Sequence, residues 1–218
     1  MKRIEDITMK VNKDYLVQFS NRYVLDKALT LTVPRGYVAI VYVNGKAMVK
    51  LQDCVKEKVF DKLGKEYLGK EVQFAFYLPS MHPTISYGFG PIHINNDRLK
   101  EAYRIGINGQ MSLTIQDYVG LIKYFAFSNS ITVEEVREKM IPIIKTVGMP
   151  IVDSYFVNTK VSVFEINSLI TDIRAKMEGS FQDEKTFKNM GVKVDSVAIN
   201  EIFVNEEDLE MIRNRINN

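Results

Sequence analysis

Residues 103–117 read YRIGINGQMSLTIQD, and the reading of this stretch decides the fold. Tyr103, Ile105, Ile107, Met111, Leu113 and Ile115 hold odd positions with only Gly109 interrupting them, while Arg104, Gly106, Asn108, Gln110, Ser112, Thr114 and Gln116 hold the even ones. A period of two over so long a run means one extended strand, packed on one face and wet on the other. Half-wet strands belong to antiparallel sheets, so this one is expected to be the spine of such a sheet. At Asp117 the period changes. An N-cap residue is followed by Tyr118, Val119, Leu121, Ile122 and Phe125 at helical spacing.

Upstream of the spine, Val72, Phe74, Phe76 and Leu78 alternate as a strand that Pro79 ends. Between Ser80 and Asn96, histidine, proline and glycine punctuate two short extended pieces, 84–87 and 92–94, which predicts a looped crossing into the spine. Asn44-Gly45 lies between apolar runs at 37–43 and 46–51 and accepts positive φ at both central positions of a type I′ turn, a strong hairpin signal. With 28–33 and the Pro34-Arg35-Gly36 turn, these runs predict a three-strand meander. The charged stretch 52–70, with Val55, Val59, Phe60 and Leu63, reads as a short helix or an irregular excursion, and 16–19 as a short strand between turns.

Downstream, Thr132 and Glu135 form a capping box and Ile131 and Val136 a staple. They predict a helix with Val136, Met140, Ile143, Ile144 and Val147 inward, kinked or split at Pro142 and stopped by Gly148 and Pro150. The same grammar at Ser162 and Glu165, with Val161 and Ile166, opens a helix burying Ile166, Leu169, Ile170, Ile173 and Met177, loosened at Gly179 and closed by Gly191. Val192, Val194, Val197 and Ile199 then form a strand whose alternation slips near Asp195 and Ser196, as at a bulge. A last helix opens at Asn205. Strands followed by helices predict an α+β fold, a mostly antiparallel sheet with helices packed on one side. The expected divisions are an N-terminal segment 1–27, a main domain 28–204 and a C-terminal helix 205–218.

The 218 residues, 46% of them hydrophobic, suffice for a sizeable core. Basic and acidic residues, 29 against 27, are mixed rather than blocked, which argues against a phosphate-tracking surface and so against a nucleic-acid partner. The longest apolar run, Val38 to Val43, is far below the roughly 20 residues of a membrane span, and no secretory signal opens the chain. One cysteine, Cys54, allows neither an internal disulfide nor a cysteine-based zinc site, which points to a reducing cytoplasm.

Taken together, residues 30–207 resemble the SPFH or band 7 superfamily of stomatin-, prohibitin- and flotillin-like domains, and most closely its small bacterial virion-core-protein-like members. Three stretches carry the resemblance: LTVPRGYVAIVYVNGK (31–46), TISYGFGPIHINNDRLKEAYRIGINGQMSLTIQD (84–117) and GVKVDSVAINEIFVNEE (191–207). Pro91 stands where small members continue with threonine, and Tyr118 where they place proline. The N-terminal hydrophobic segment or lipidated cysteines, the long C-terminal coiled coil and the zinc module of many members are not seen in this sequence.

The resemblance implies a non-enzymatic scaffold, without cofactor, that acts through self-association and a membrane-linked partner at the inner face of the membrane. Leu209, Ile212 and Ile216 on the last helix are the candidate oligomer interface; the stripe either docks on its own domain or seeds a coiled coil. The alternative is a soluble ligand-binding or adaptor module with 80–96 as its contact loop. No catalytic, cofactor or metal residue is assigned. His82, His93 and Asp97 have ligand chemistry but no ligand spacing, and nothing near Cys54 activates it. Gly88, Gly90, Gly106 and Gly109 serve turns and close approaches rather than a phosphate loop. Arg104 and Gln110 lie on a solvated face, and Tyr37, Tyr42, Phe74, Phe76 and Tyr77 fall at core spacing.

Overall fold

The computed structural model describes residues 6–9, 12, 14–96, 98–126, 130–157 and 159–216. Its strands are β1 (Asp6–Thr8), β2 (Tyr15–Phe19), β3 (Tyr23–Val24), β4 (Thr30–Thr32), β5 (Val38–Val43), β6 (Lys46–Gln52), β7 (Glu57–Lys58), β8 (Glu71–Tyr77), β9 (Thr84–Asn96), β10 (Glu101–Ile115), β11 (Ser130–Thr132) and β12 (Val192–Val204). Its α-helices are α1 (Val59–Leu63), α2 (Tyr118–Tyr124), α3 (Val133–Phe156), α4 (Ile170–Asp183), α5 (Lys185–Asn189) and α6 (Glu206–Ile216), with 3-10 turns at Lys65–Tyr67 and Val163–Leu169. The protein is α+β, as its sequence pattern implies. It divides into two compact units, each discontinuous in sequence: Met1–Met81 with Ile115–Val133, and His82–Thr114 with Glu134–Asn218. This division runs through the expected 28–204 domain rather than at its ends.

In the first unit β5 lies between β8 and β6 in a sheet ordered β11-β2-β8-β5-β6. All six of its residues are buried, which is why VAIVYV is continuous rather than alternating. Ala39, Val41 and Val43 join Leu25, Leu31, Val59, Phe74 and Phe76 in one core. The Asn44-Gly45 turn has φ of 49° and 76°, as a type I′ hairpin requires. The expected meander does not form. β4 leaves β5 and pairs with β1 and β7 in a separate small sheet. Beyond the spine, the Asp117 carboxylate accepts the Val119 amide and starts α2, and Tyr118 of α2 stacks on Tyr77 with centroids 3.7 Å apart.

The second unit is built on β10, central in a sheet ordered β12-β10-β9. Tyr103, Ile105, Ile107, Met111 and Leu113 are buried as their alternation predicts. The expected looped crossing is instead one 13-residue strand, β9, antiparallel to β10 along its length. Its inward residues are Ile85, Tyr87 and Phe89, then Ile92, Ile94 and Asn96. The phase shifts by one at Gly90-Pro91, where the register also slips, so a bulge hid the strand in the sequence. Buried Asn96 ends it: its side-chain Oδ1 accepts the Arg98 and Leu99 amides, and its side-chain Nδ2 donates to the Phe156 and Thr159 carbonyls at 3.1 Å.

The long helix α3 also departs from expectation, running 24 residues through Pro142, Gly148 and Pro150. Its buried stripe, Val136, Met140, Ile144, Gly148, Val152 and Phe156, repeats every fourth residue without a break. Both prolines are exposed, on the side where a helix can open outward and water can take the released carbonyls. Gly148 is a packing residue rather than a stop, since a Cβ there would lie 2.7 Å from Phe89 Cζ. The Ser162 helix starts as a 3-10 turn, so Leu169 and Ile170 are only half-buried, whereas Ile173 and Met177 are buried with Phe181. α4 continues past Gly179.

β12 slips where its sequence predicts, between Val194 and Val197, and the Glu178 carboxylate on α4 accepts the Val197 amide at 3.1 Å. Arg137 of α3 donates from Nε to the Ser86 carbonyl on β9 at 2.7 Å. Both outer strands of this sheet thus have a backbone group taken by a helix side chain.

Candidate functional site

β12 runs antiparallel to β10: Thr114 meets Asp195, Asn108 meets Glu201, and Arg104 meets Asn205. That register sets Gly106 against Phe203, and Gly109 lies close to the Ala198 carbonyl, two residues off the same register. At Gly109 the strands approach so closely that an added Cβ would lie 2.0 Å from the Ala198 carbonyl oxygen, which accepts a hydrogen bond from the Tyr87 hydroxyl at 3.0 Å. At Gly106 the Phe203 ring lies across the bare backbone, with Cζ 2.1 Å from where a Cβ would be. A residue larger than glycine would displace that ring. Gly90 lies against Gly106 on the other side, where a Cβ would be 2.9 Å from the Gly106 Cα.

The result is an open groove of about 1000 Å³ on the outer face of this sheet, lined by Gly88, Gly90, Pro91, Gly106, Asn108 and Phe203 and by the first turn of α6. Its floor is backbone with little side chain above it, and Phe203 remains 48% exposed. An aromatic opposite a strand glycine covers the hole that the missing side chain leaves.

One end of the groove is closed by a charge cluster. Asp208, only 5% exposed, accepts from the Arg104 backbone amide at 2.7 Å and from Arg104 Nε at 2.9 Å. Arg104 Nη2 also donates to Asn205 Oδ1 at 2.9 Å and pairs with Glu207 at 3.2 Å. These bonds hold the Asp208 carboxyl below its usual range, Arg104's side-chain hydrogen bonds being the main cause, and raise Arg104 further above an already high value. The arginine read as solvated is therefore the latch that fixes the start of α6. Gln110 stays exposed.

Of the stripe proposed for assembly, Ile212 is 3% exposed and Leu209 half-buried, so Ile212 is already covered within the chain itself. Ile216 at 65% and Met211 at 51% remain at the surface. His82 Nδ1 lies 2.9 Å from Thr114 Oγ1, which donates to Asp195 at 2.6 Å, while His93 pairs across from Arg104. The two histidines are eleven residues apart, most of them in the extended strand β9, so at about 3.3 Å per residue they are roughly 35 Å apart and cannot share an ion. Asp97 lies outside the described residues. Among the described residues no group of three or more His, Cys, Asp or Glu is placed to hold a metal, and no helix is long and apolar enough to cross a membrane. Cys54 is half-buried beside the first unit's core and directs its thiol at the Leu31 carbonyl at 3.7 Å. Tyr42, Phe74, Phe76 and Tyr77 are buried, as core spacing implies.

Sequence reasoning missed Phe203, Glu206 and Glu207 as neighbours of the glycines. The signal was an aromatic on the wet phase of β12, and it becomes meaningful only once the register sets it against Gly106. No family model matches this chain, and no curated protein does either. The fold and groove define an α+β protein with a preformed surface cleft.

Proposed function

We propose that the chain is a binding module, an adaptor that holds a partner in the groove over β9, β10 and β12. The observation that carries this is Phe203: a large apolar ring kept half-exposed beside a floor of bare backbone. Half-exposed aromatics in a concave, mostly apolar cleft are the anchors of recognition surfaces. The crossing expected to act as contact loop supplies Gly88, Gly90 and Pro91 to the same cleft. The test is selection of displayed peptides on the intact chain, followed by affinity measurement on F203A. Enriched peptides should lose about tenfold in affinity, or ~1.4 kcal/mol, when the ring is removed. Equal affinity for both proteins, or no enrichment, refutes the proposal.

The scaffold reading, in which the chain self-associates and meets a membrane-linked partner from the cytoplasmic side, is favoured by one feature. Met211 and Ile216 stay exposed on α6 although Ile212 is docked. On this reading, light scattering gives a discrete high-order species that I216D dissolves. A monomer at every concentration removes self-association through α6 and puts the adaptor reading ahead.

A further inference from the structure

We infer that the groove takes a cationic, arginine-bearing peptide segment; this rests on the groove being the binding site. The second unit carries 17 acidic against 14 basic residues, while the first carries 10 against 15. The acidic excess is gathered at the cleft. Glu201, Glu206, Glu207, Asp208 and Glu210 fall within ten residues that contain no base. Asp208 and Asn205 serve the start of α6, where Asn205 Oδ1 also takes the Asp208 amide at 3.4 Å. Glu206 lines the groove with no ion-pair partner among the described residues, and Glu207 is 82% exposed although it touches Arg104. Arg104, the one basic side chain in the lining, is shared by Asp208, Glu207 and Asn205, so its single charge leaves the carboxylates of Glu206, Glu207 and Asp208 in excess. At the margin Glu201 is held by the Asn108 amide at 3.5 Å.

An occupant must therefore bring an apolar body for Phe203 and Pro91 and a positive tip for the carboxylates. Arginine combines these: its planar guanidinium stacks on an aromatic face and donates two parallel hydrogen bonds to a carboxylate. The glycine floor leaves space for an extended backbone above it. Lysine satisfies the charge but not the stacking.

The full chain is titrated, by fluorescence anisotropy, against a short labelled peptide of arginine, leucine and serine, and against copies with lysine or glutamate replacing arginine. The arginine peptide should bind most tightly, the lysine peptide more weakly and the glutamate peptide not measurably. Added salt should weaken binding. F203A and the E206Q/E207Q pair should each reduce affinity about tenfold, whereas F203Y, which keeps the ring, should restore it. Unchanged thermal unfolding of the variants shows that binding, not folding, was altered. Glutamate binding as well as arginine, or F203A binding like the parent, overturns the inference. If selection instead returns Phe203-dependent peptides without cationic residues, the groove remains a binding site and only its cationic preference falls. If selection returns no Phe203-dependent peptide, both fall.

Discussion

Replacing Gly109 with alanine tests the close approach of the Ala198 carbonyl to the bare Gly109 backbone. The new Cβ would sit 2.0 Å from the Ala198 carbonyl oxygen and 2.6 Å from Tyr87 Oη, where ordinary contacts begin near 3.4 Å. Neighbouring backbone must then move by about 1.4 Å, and interiors packed as densely as protein cores resist this. Such overpacking costs about 1–3 kcal/mol. If β12 withdraws, the 3.0 Å bond from Tyr87 to Ala198 is lost as well, and a buried hydroxyl without a partner costs about 1–3 kcal/mol more. Relief of glycine's backbone entropy in a strand returns about 0.5–1 kcal/mol. The net expectation is a loss of about 2–4 kcal/mol, or roughly 5–15 °C in Tm for a chain of this size. Urea unfolding followed by far-ultraviolet circular dichroism reads it out, with G179A as the control. Gly179 has nothing within 4 Å of its would-be Cβ in α4, so alanine there should stabilise by about 0.5–1 kcal/mol. G109A unfolding within about 0.5 kcal/mol of the parent, the range of ordinary surface substitutions, would refute the close-approach argument.

Y103F should be neutral or stabilise by about 1 kcal/mol in the same urea assay, because the Tyr103 hydroxyl is buried and has no hydrogen-bond partner among the described residues; Y87F should instead destabilise by about 1 kcal/mol. At high pH, burial pushes Tyr42 and Tyr103 to about 12 from 10.0, so the folded state's stability is unaffected by them below pH 10 and falls as pH rises toward 12, where the unfolded chain gives up these protons first; circular dichroism across that range should show the loss, reduced in Y103F. At low pH the reverse sign applies to Asp208, whose folded pKa lies below 3.8: its contribution is present above that value and disappears as acid protonates it, and D208N should show a shallower acid limb together with a loss of about 1–3 kcal/mol at neutral pH. P142A should stabilise α3 by about 1–3 kcal/mol by restoring an amide to the helix ladder, and a drop in Tm would show that the proline is needed where it stands.

The elements legible in advance were those whose signal is local. The alternation of 103–115, the Asn44-Gly45 turn and the Asp117 cap depend on neighbours a few residues away, and each formed as its chemistry dictates. β9 was hidden because its alternation changes phase at Gly90-Pro91, which reads locally as two fragments. α3 was cut short on paper because proline and glycine carry strong local penalties, whereas its buried stripe repeats every fourth residue through both prolines and outweighs them. The groove was illegible for a different reason. Phe203, Gly106 and Gly90 are strangers in sequence, and the meaning of each depends on a pairing register that no single stretch contains.

Because the two units trade segments, neither is a continuous piece of chain. Val17 of β2 pairs with Ile131 of β11, 114 positions later, and the whole of β9 and β10 lies between them. On a ribosome, the first unit cannot close its sheet until the central hairpin of the second has already emerged, while that hairpin still awaits α3 and β12. Both must wait with apolar faces open, a high-contact-order arrangement that slows folding. Truncation at residue 81 would therefore leave the first unit without β11. Truncation at 133 would complete that unit but leave the β9–β10 hairpin without α3 and β12, so dissection of this protein calls for circular permutation or point variants instead of fragments.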